Sequence, residues 1–183
     1  MSRVPLREGT VIEVNGVKIS ILDSIGKGSS CLVYTGQILE EGMILADTLV
    51  TIKEFYPIDK DSEFGIRRLD SGELKFSEVT KDFPGFKARK EQFEAGYKMQ
   101  KILANSDIME IMVKPFLYGR YGDSIYIVSD IHMGTGLDQI RFKTLAEKLS
   151  CAVRVVELFG ILHEAGYLML DFKPENLLWI KQP

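Results

Sequence analysis

From Phe86 onward the apolar residues change their spacing, and that change limits the chain to a fold of two differently built parts. Before it, VKISILDSIGKGSSCLVYTGQ (residues 17–37) carries Ile and Val on both sides of a Gly/Ser turn, the pattern of two tightly joined strands. DTLVTIKEF (47–55) predicts a third strand, β-branched and with a lysine near its end. Beyond Phe86, the positions of Phe93 and Tyr97, extended by Ile102 and Leu103, predict a helix over 87–104. VKPFLYGRYGDSIYIVSDI (113–131) predicts a hairpin turning at Gly122-Asp123. Leu145, Leu149, Ala152, Val153, Val156 and Phe159 then mark one face of a long helix. Val155, Leu158 and Ile161 make its other side apolar, which predicts burial nearly all round.

Residues 55–86, with Pro57, Gly65, Gly72 and Pro84, keep no sustained period and read as a long insertion, with a short hairpin around SGEL. The organisation expected is a 1–16 extension, a sheet lobe over 17–131 with its insertion, and a helical part over 132–183. The fold class is α+β: a small antiparallel sheet with one main helix, then the start of a helical lobe.

Charge excludes some partners. The chain holds 23 basic and 26 acidic residues, and 23 − 26 = −3, so nothing favours nucleic acid or an anionic membrane as partner. The most apolar run, 151–162, is interrupted by Arg154 and Glu157, and no stretch reaches the length of a membrane span. Residues 1–10 lack the apolar core of a secretory signal. Cys31 and Cys151 form no ligand-like cluster, so reduced thiols and a cytoplasmic location are expected.

Three motifs carry chemistry. Gly26 and Gly28, between two strands, let backbone N–H groups approach phosphate oxygens, although a Gly-rich hairpin turn has the same composition. A dinucleotide fingerprint is disfavoured because strand, not helix, follows them. Lys53, on the next strand, is either a snorkelling edge lysine or a cation for those phosphates. The second role needs an orienting carboxylate, and Glu94, at the border of the inward helix face, is the candidate, with Glu91 as competitor. In LDFKPEN, Asp171 is placed to accept a hydroxyl proton, Lys173 to neutralise a transferring phosphoryl group and Asn176 to offer an oxygen to Mg2+. KPEN is also a plain surface turn, but it follows a helix that ends LHEAGY.

Together these motifs resemble the eukaryotic-type protein kinase fold, in its bacterial Ser/Thr branch. IGKGSSCLVY is similar to the Gly-rich loop, VTIK to the lysine strand, FEAGYKMQKIL to helix C, and YIVSDI to the strand entering the hinge. LHEAGYLMLDFKPENLL resembles the catalytic loop, and IKEFYP with its Arg-containing insertion is a further likeness to bacterial members. The resemblance runs from about Val17 to Ile180. It implies that Gly26 and Gly28 cover the ATP phosphates, that Ile25, Lys27 and Ser29 also belong to the nucleotide-binding residues, and that Val33 and Thr51 lie against adenine. It further implies that Lys53 pairs with Glu94, that Ser129 is the gatekeeper, and that the backbone of Asp130 and His132 meets the adenine edge. Asp171 would be the base, Lys173 the phosphate contact, Asn176 the metal ligand and His163 a packed structural residue.

Departures narrow the reading. Cys31 replaces the third loop glycine, Ser30 the aromatic tip, and Thr51 the small residue against adenine. Met169-Leu170 replace the His-Arg before the base. The Asp-Phe-Gly metal motif and the activation segment are not in the sequence. The expectation is a fragment of an ATP- and Mg2+-dependent Ser/Thr protein kinase acting on a protein substrate, inactive alone, its exposed C-lobe surface inviting self-association. The rival readings are a pseudokinase, or nucleotide-binding regulatory module, and a small-molecule kinase of the same fold.

Overall fold

The computed structural model describes residues 3–39, 48–58, 65–104, 113–131, 134–168 and 172–180. They divide into two compact units, one within Met1–Ala104 and Val113–Ile131, the other within His132–Pro183.

The first unit is built on a six-stranded antiparallel sheet. Its strands are β1 (Val11–Val14), β2 (Val17–Lys27), β3 (Cys31–Ile38), β4 (Leu49–Phe55), β7 (Pro115–Tyr121) and β8 (Ser124–Asp130), in the order β1-β2-β3-β4-β8-β7. The sheet reaches into the segment expected to be an extension. Asn15 (φ 52°) and Gly16 (φ 80°) both take the left-handed conformation that a two-residue hairpin turn requires, and they join β1 to β2. Asn-Gly between VIEV and VKIS was the signal for this turn.

Strand β4 shows why the sheet has two different faces. Successive side chains alternate, so Val50, Ile52 and Glu54 point one way and Thr51, Lys53 and Phe55 the other. The first face is fully buried with Ile19, Ile21, Leu32, Tyr34, Tyr126 and Val128. Burying each large apolar side chain there contributes roughly 1.5–3 kcal/mol. On the second face, Phe55 meets α2 (Pro84–Ala104): its ring lies 5.4 Å from Phe86 and 5.4 Å from Phe93. The helix stripe behaves as its spacing predicts through Phe86 and Phe93, but Ile102 is exposed while Leu103 is buried.

The insertion is more ordered than its sequence suggests. A hairpin of β5 (Ile66–Arg68) and β6 (Leu74–Phe76) flanks the expected turn, with Ile66 opposite Phe76 and Arg68 opposite Leu74. A short helix, α1 (Glu78–Asp82), follows, and the Ser77 side chain caps it by accepting from the Thr80 amide at 3.2 Å. The hairpin is docked on the β7–β8 turn: Asp123 donates its amide to the Leu74 carbonyl (2.9 Å) and accepts from the Phe76 amide (2.9 Å).

The second unit centres on α3 (Leu145–Glu164). Thr144 and Glu147 form a reciprocal capping box at its start. Its end is a Schellman motif, in which the Tyr167 amide donates to the Leu162 carbonyl and that of Gly166, at φ 82°, to His163. The expected all-round burial is not found: Leu145, Leu149, Val153, Val156 and Ile161 are exposed, because no described element covers that face. After a turn of 3-10 helix at Pro174–Asn176, strand β10 (Leu178–Trp179) pairs antiparallel with β9 (Thr135–Gly136). Among the described residues no helix is long and apolar enough to cross a membrane.

Candidate functional site

Register brings five of the expected residues onto one sheet face. Gly26 stands opposite Val33, Val33 opposite Lys53, and Lys53 opposite Ile127; Thr51 stands opposite Ser129. Directly opposed antiparallel residues share a face with Cβ atoms about 4.5–5.5 Å apart. Val33, Thr51 and Lys53 are half-buried there and Ser129 is buried. Ile25 and Lys27 occupy the outer end of β2 and are exposed, as is Asp130 at the end of β8.

The glycine turn is closed by a bond from the Gly28 amide to the Cys31 carbonyl (2.9 Å), so that N–H is not free for a phosphate. The carbonyls of Ser29 and Ser30 are also held, accepting from Ile58 (2.9 Å) and Tyr56 (3.0 Å). Among the described residues, the amides of Ser29 and Ser30 donate to nothing. Neither Gly26 nor Gly28 has a positive φ, and a Cβ on either would approach its nearest neighbour no closer than 3.4 Å. The fold therefore does not demand glycine at either place.

Arg3 braces this loop from the N-terminal arm, donating to the carbonyls of Cys31 (3.1 Å) and Tyr56 (2.7 Å). Arg89 on α2 donates to the Ile58 carbonyl (2.6 Å). Burial pushes the Cys31 thiol up against the opposing influence of nearby Lys53.

Glu94 is half-buried on α2 and Glu91 is exposed. Its expected ion pair with Lys53 is not formed. Glu94 accepts a 3.0 Å hydrogen bond from the Tyr118 hydroxyl instead, and Tyr118 stacks on Tyr97 of α2 at 4.6 Å between ring centroids. Among the described residues Lys53 has no carboxylate within ion-pair distance.

Lys173 and Asn176 lie in the second unit, joined across the 3-10 turn by a bond from the Asn176 amide to the Lys173 carbonyl (3.0 Å). Both are exposed, and Phe172 beside them packs edge-on against Phe159 of α3 at 4.8 Å. Asp171 and His132 fall outside the described residues. No group of three or more His, Cys, Asp or Glu able to hold a metal occurs among those described.

A buried polar cluster behind Lys53 was not anticipated. Glu54 is wholly buried, and Arg68 of the insertion hairpin grips its carboxylate with two hydrogen bonds, 2.9 and 2.6 Å. Tyr34 (2.7 Å) and Tyr126 also donate to it, and Arg68 further donates to the carbonyls of Val4 and Gly72, each at 2.7 Å. Burial works against the Arg68 charge, but the bonds and charge of Glu54 outweigh it and raise its pKa. The signal was present in sequence: a glutamate next to an inward lysine on a strand must enter the opposite, apolar face. A buried carboxylate needs a cation, and Arg67-Arg68 supplied one.

No protein-family model matches the chain, and no curated protein does. Solved structures do. The apo form of PpkA-294 aligns over 94% of this chain and 57% of its own at 17% identity, with a TM-score of 0.63. The BubR1 kinase domain aligns over 98% and 46% at 17% identity and 0.58. The PknI kinase domain of Mycobacterium tuberculosis aligns over 98% and 60% at 14% identity and 0.54. The chain spans about half the length of the structures it matches. With the antiparallel sheet, its single long helix and the helical unit that follows, the chain carries a protein-kinase-like α+β fold, that of the first part of a kinase domain.

Proposed function

We propose that the full-length protein is a Ser/Thr protein kinase, transferring a phosphoryl group from Mg-ATP to a protein hydroxyl in the cytoplasm. The observation that carries this is the register of Gly26, Val33 and Lys53 across three adjacent strands, which sets a glycine turn, an apolar side chain and a cation on one face. Each suits a different part of a nucleotide. The Ser29 and Ser30 amides would donate to phosphate oxygens, and glycines that no steric demand explains would keep side chains out of their way. Lys53, without a carboxylate partner among the described residues, would have its charge available for the α/β-phosphates. Val33 and Thr51 would bound the adenine, with Ser129 deeper in the sheet. The backbone of Asp130 and His132 would meet its edge.

For the transfer itself, Asp171 would take the hydroxyl proton and Lys173 would offset the charge developing on the phosphoryl group. Mg2+ would supply further charge neutralisation between the phosphates, held by the side-chain oxygen of Asn176 and by the nucleotide. A hard cation favours carboxylates, whereas Asn176 offers it a neutral amide oxygen, so these 183 residues alone are proposed not to turn over.

The bond from Tyr118 to Glu94 favours a second reading, a nucleotide-binding regulatory module without transfer, since the carboxylate meant for Lys53 is engaged elsewhere. One experiment separates the two. Full-length protein and its Lys53→Met variant are compared for ATP binding and for phosphorylation of a generic protein substrate, with Asp171→Asn as control. Binding and turnover that fall in Lys53→Met, with turnover alone lost in Asp171→Asn, support the kinase. Lys53-dependent binding without turnover selects the module. Binding indifferent to Lys53 overturns both.

A further inference from the structure

Residues 3–10 form an arm that is tied to the first unit along its length. The Gly9 amide donates to the Ile21 carbonyl (2.8 Å), and the Ile21 amide to that of Thr10 (2.9 Å). Leu6 is buried, and its amide donates to the Tyr34 hydroxyl at 3.2 Å. Arg68 holds the Val4 carbonyl at 2.7 Å. Gly72 of the insertion hairpin leaves room for the arm, since a Cβ there would come within 2.9 Å of Thr10 and 3.0 Å of Leu6. A segment near a chain end is well ordered only when tied down in this way, so Arg3 is presented from a fixed base.

From that base Arg3 reaches two carbonyls at once. Its Nη1 donates to Cys31 (3.1 Å), which begins β3, and to Tyr56 (2.7 Å), which follows β4. The Tyr56–Pro57–Ile58 segment is stiff, because the proline fixes its own φ, disfavours the helical conformation at Tyr56 and offers no N–H. The two amides that the segment does have both bond the glycine turn, Tyr56 to the Ser30 carbonyl (3.0 Å) and Ile58 to that of Ser29 (2.9 Å). A trans peptide is planar, with its C=O and N–H pointing opposite ways. Holding the Ser29 carbonyl towards Ile58 therefore turns the Ser30 amide away from that segment.

We propose that Arg3 is a positioning residue for the nucleotide site: it clamps the Tyr56–Ile58 segment against the glycine turn and so keeps the Ser30 amide presented to a phosphate oxygen. The proposal rests on the nucleotide-binding reading above and adds to it the group that sets phosphate affinity. A turn that can relax loses the alignment of its amide, and each nucleotide bound must then restore that order at a cost in affinity. Arg3 acts through the backbone of the turn, so its loss is felt by the phosphates and not by the base.

The test compares the full-length protein with its Arg3→Ala variant, titrating Mg-ATP and, separately, adenosine by calorimetry. Arg3→Ala should bind ATP about fivefold or more weakly, and adenosine, which has no phosphates, equally well. Retained adenosine binding also shows that the variant folds. Hydrogen exchange without nucleotide reads the clamp itself. The Tyr56 and Ile58 amides, both bonded to the turn, should exchange about tenfold faster in the variant. A wild type that binds no ATP defeats the nucleotide reading and this proposal together. With wild-type binding present, the proposal alone is overturned if Arg3→Ala binds ATP unchanged, loses ATP and adenosine in equal measure, or leaves the two amides as protected as before.

Discussion

Tyr118 donates a 3.0 Å hydrogen bond to Glu94, and it does so from β7, the strand next to the one that lies opposite Lys53. Burial first, and Glu94 second, push the Tyr118 phenol up, which keeps it a donor. If Lys53 and Glu94 serve the proposed nucleotide site, Tyr118 competes for the carboxylate. Removing its hydroxyl in Tyr118→Phe releases about 1 kcal/mol of that competition. Nucleotide affinity of the full-length protein should then rise about fivefold, measured by calorimetry. Unchanged or weaker binding would remove Tyr118 from any such role.

Arg68 is the sole cation bonded to the buried Glu54 carboxylate among the described residues. Arg68→Ala would strand a charge in the core, and it should cost about 3–5 kcal/mol of stability in urea unfolding. Replacing both partners by apolar residues, Glu54→Leu with Arg68→Met, should recover much of that loss, because no charge is then left uncompensated. A double variant no more stable than Arg68→Ala would contradict this account.

Alkaline pH should destabilise the fold through Tyr34 and Tyr126. Burial first, and the charge of Glu54 second, raise both phenols above the ordinary value of 10.0. In the unfolded chain they release protons near that value while the folded chain retains them. The unfolded state therefore binds fewer protons, and stability is full below about pH 10 and falls above it. Urea midpoints taken at about pH 9 and about pH 11 should show the fall. Tyr34→Phe should flatten it, and equal slopes for variant and wild type would refute the assignment.

The exposed stripe on α3 should make the 183-residue chain self-associate. Leu145, Leu149 and Val156 are 70%, 58% and 68% exposed on a helix whose spacing places them together. Sedimentation at rising concentration should show larger species, and Leu149→Glu with Val156→Glu should shift them towards monomer. A wild-type chain that stays monomeric throughout would disprove it.

Local chemistry was legible in the sequence. Strands β2, β3, β4, β7 and β8, the two long helices and the Gly122 turn follow from periodicity and turn residues, because each depends on interactions a few residues apart. Strand β1, by contrast, falls in the segment expected to be an extension. The glycines and Lys53 could be placed on successive strands for the same reason, and alternation puts Glu54 on the face opposite Lys53. What required the tertiary structure was every pairing between distant segments. Glu54 needed a cation, but that it is Arg68, fourteen residues on and across the insertion hairpin, depends on how β5 and β6 dock over the sheet. Glu94 faced inward as its helix position implied, yet whether its carboxylate meets Lys53 or Tyr118 is decided by where α2 comes to rest. Two partners compete there for one acceptor, and spacing along the chain carries no information about which lies within 3 Å.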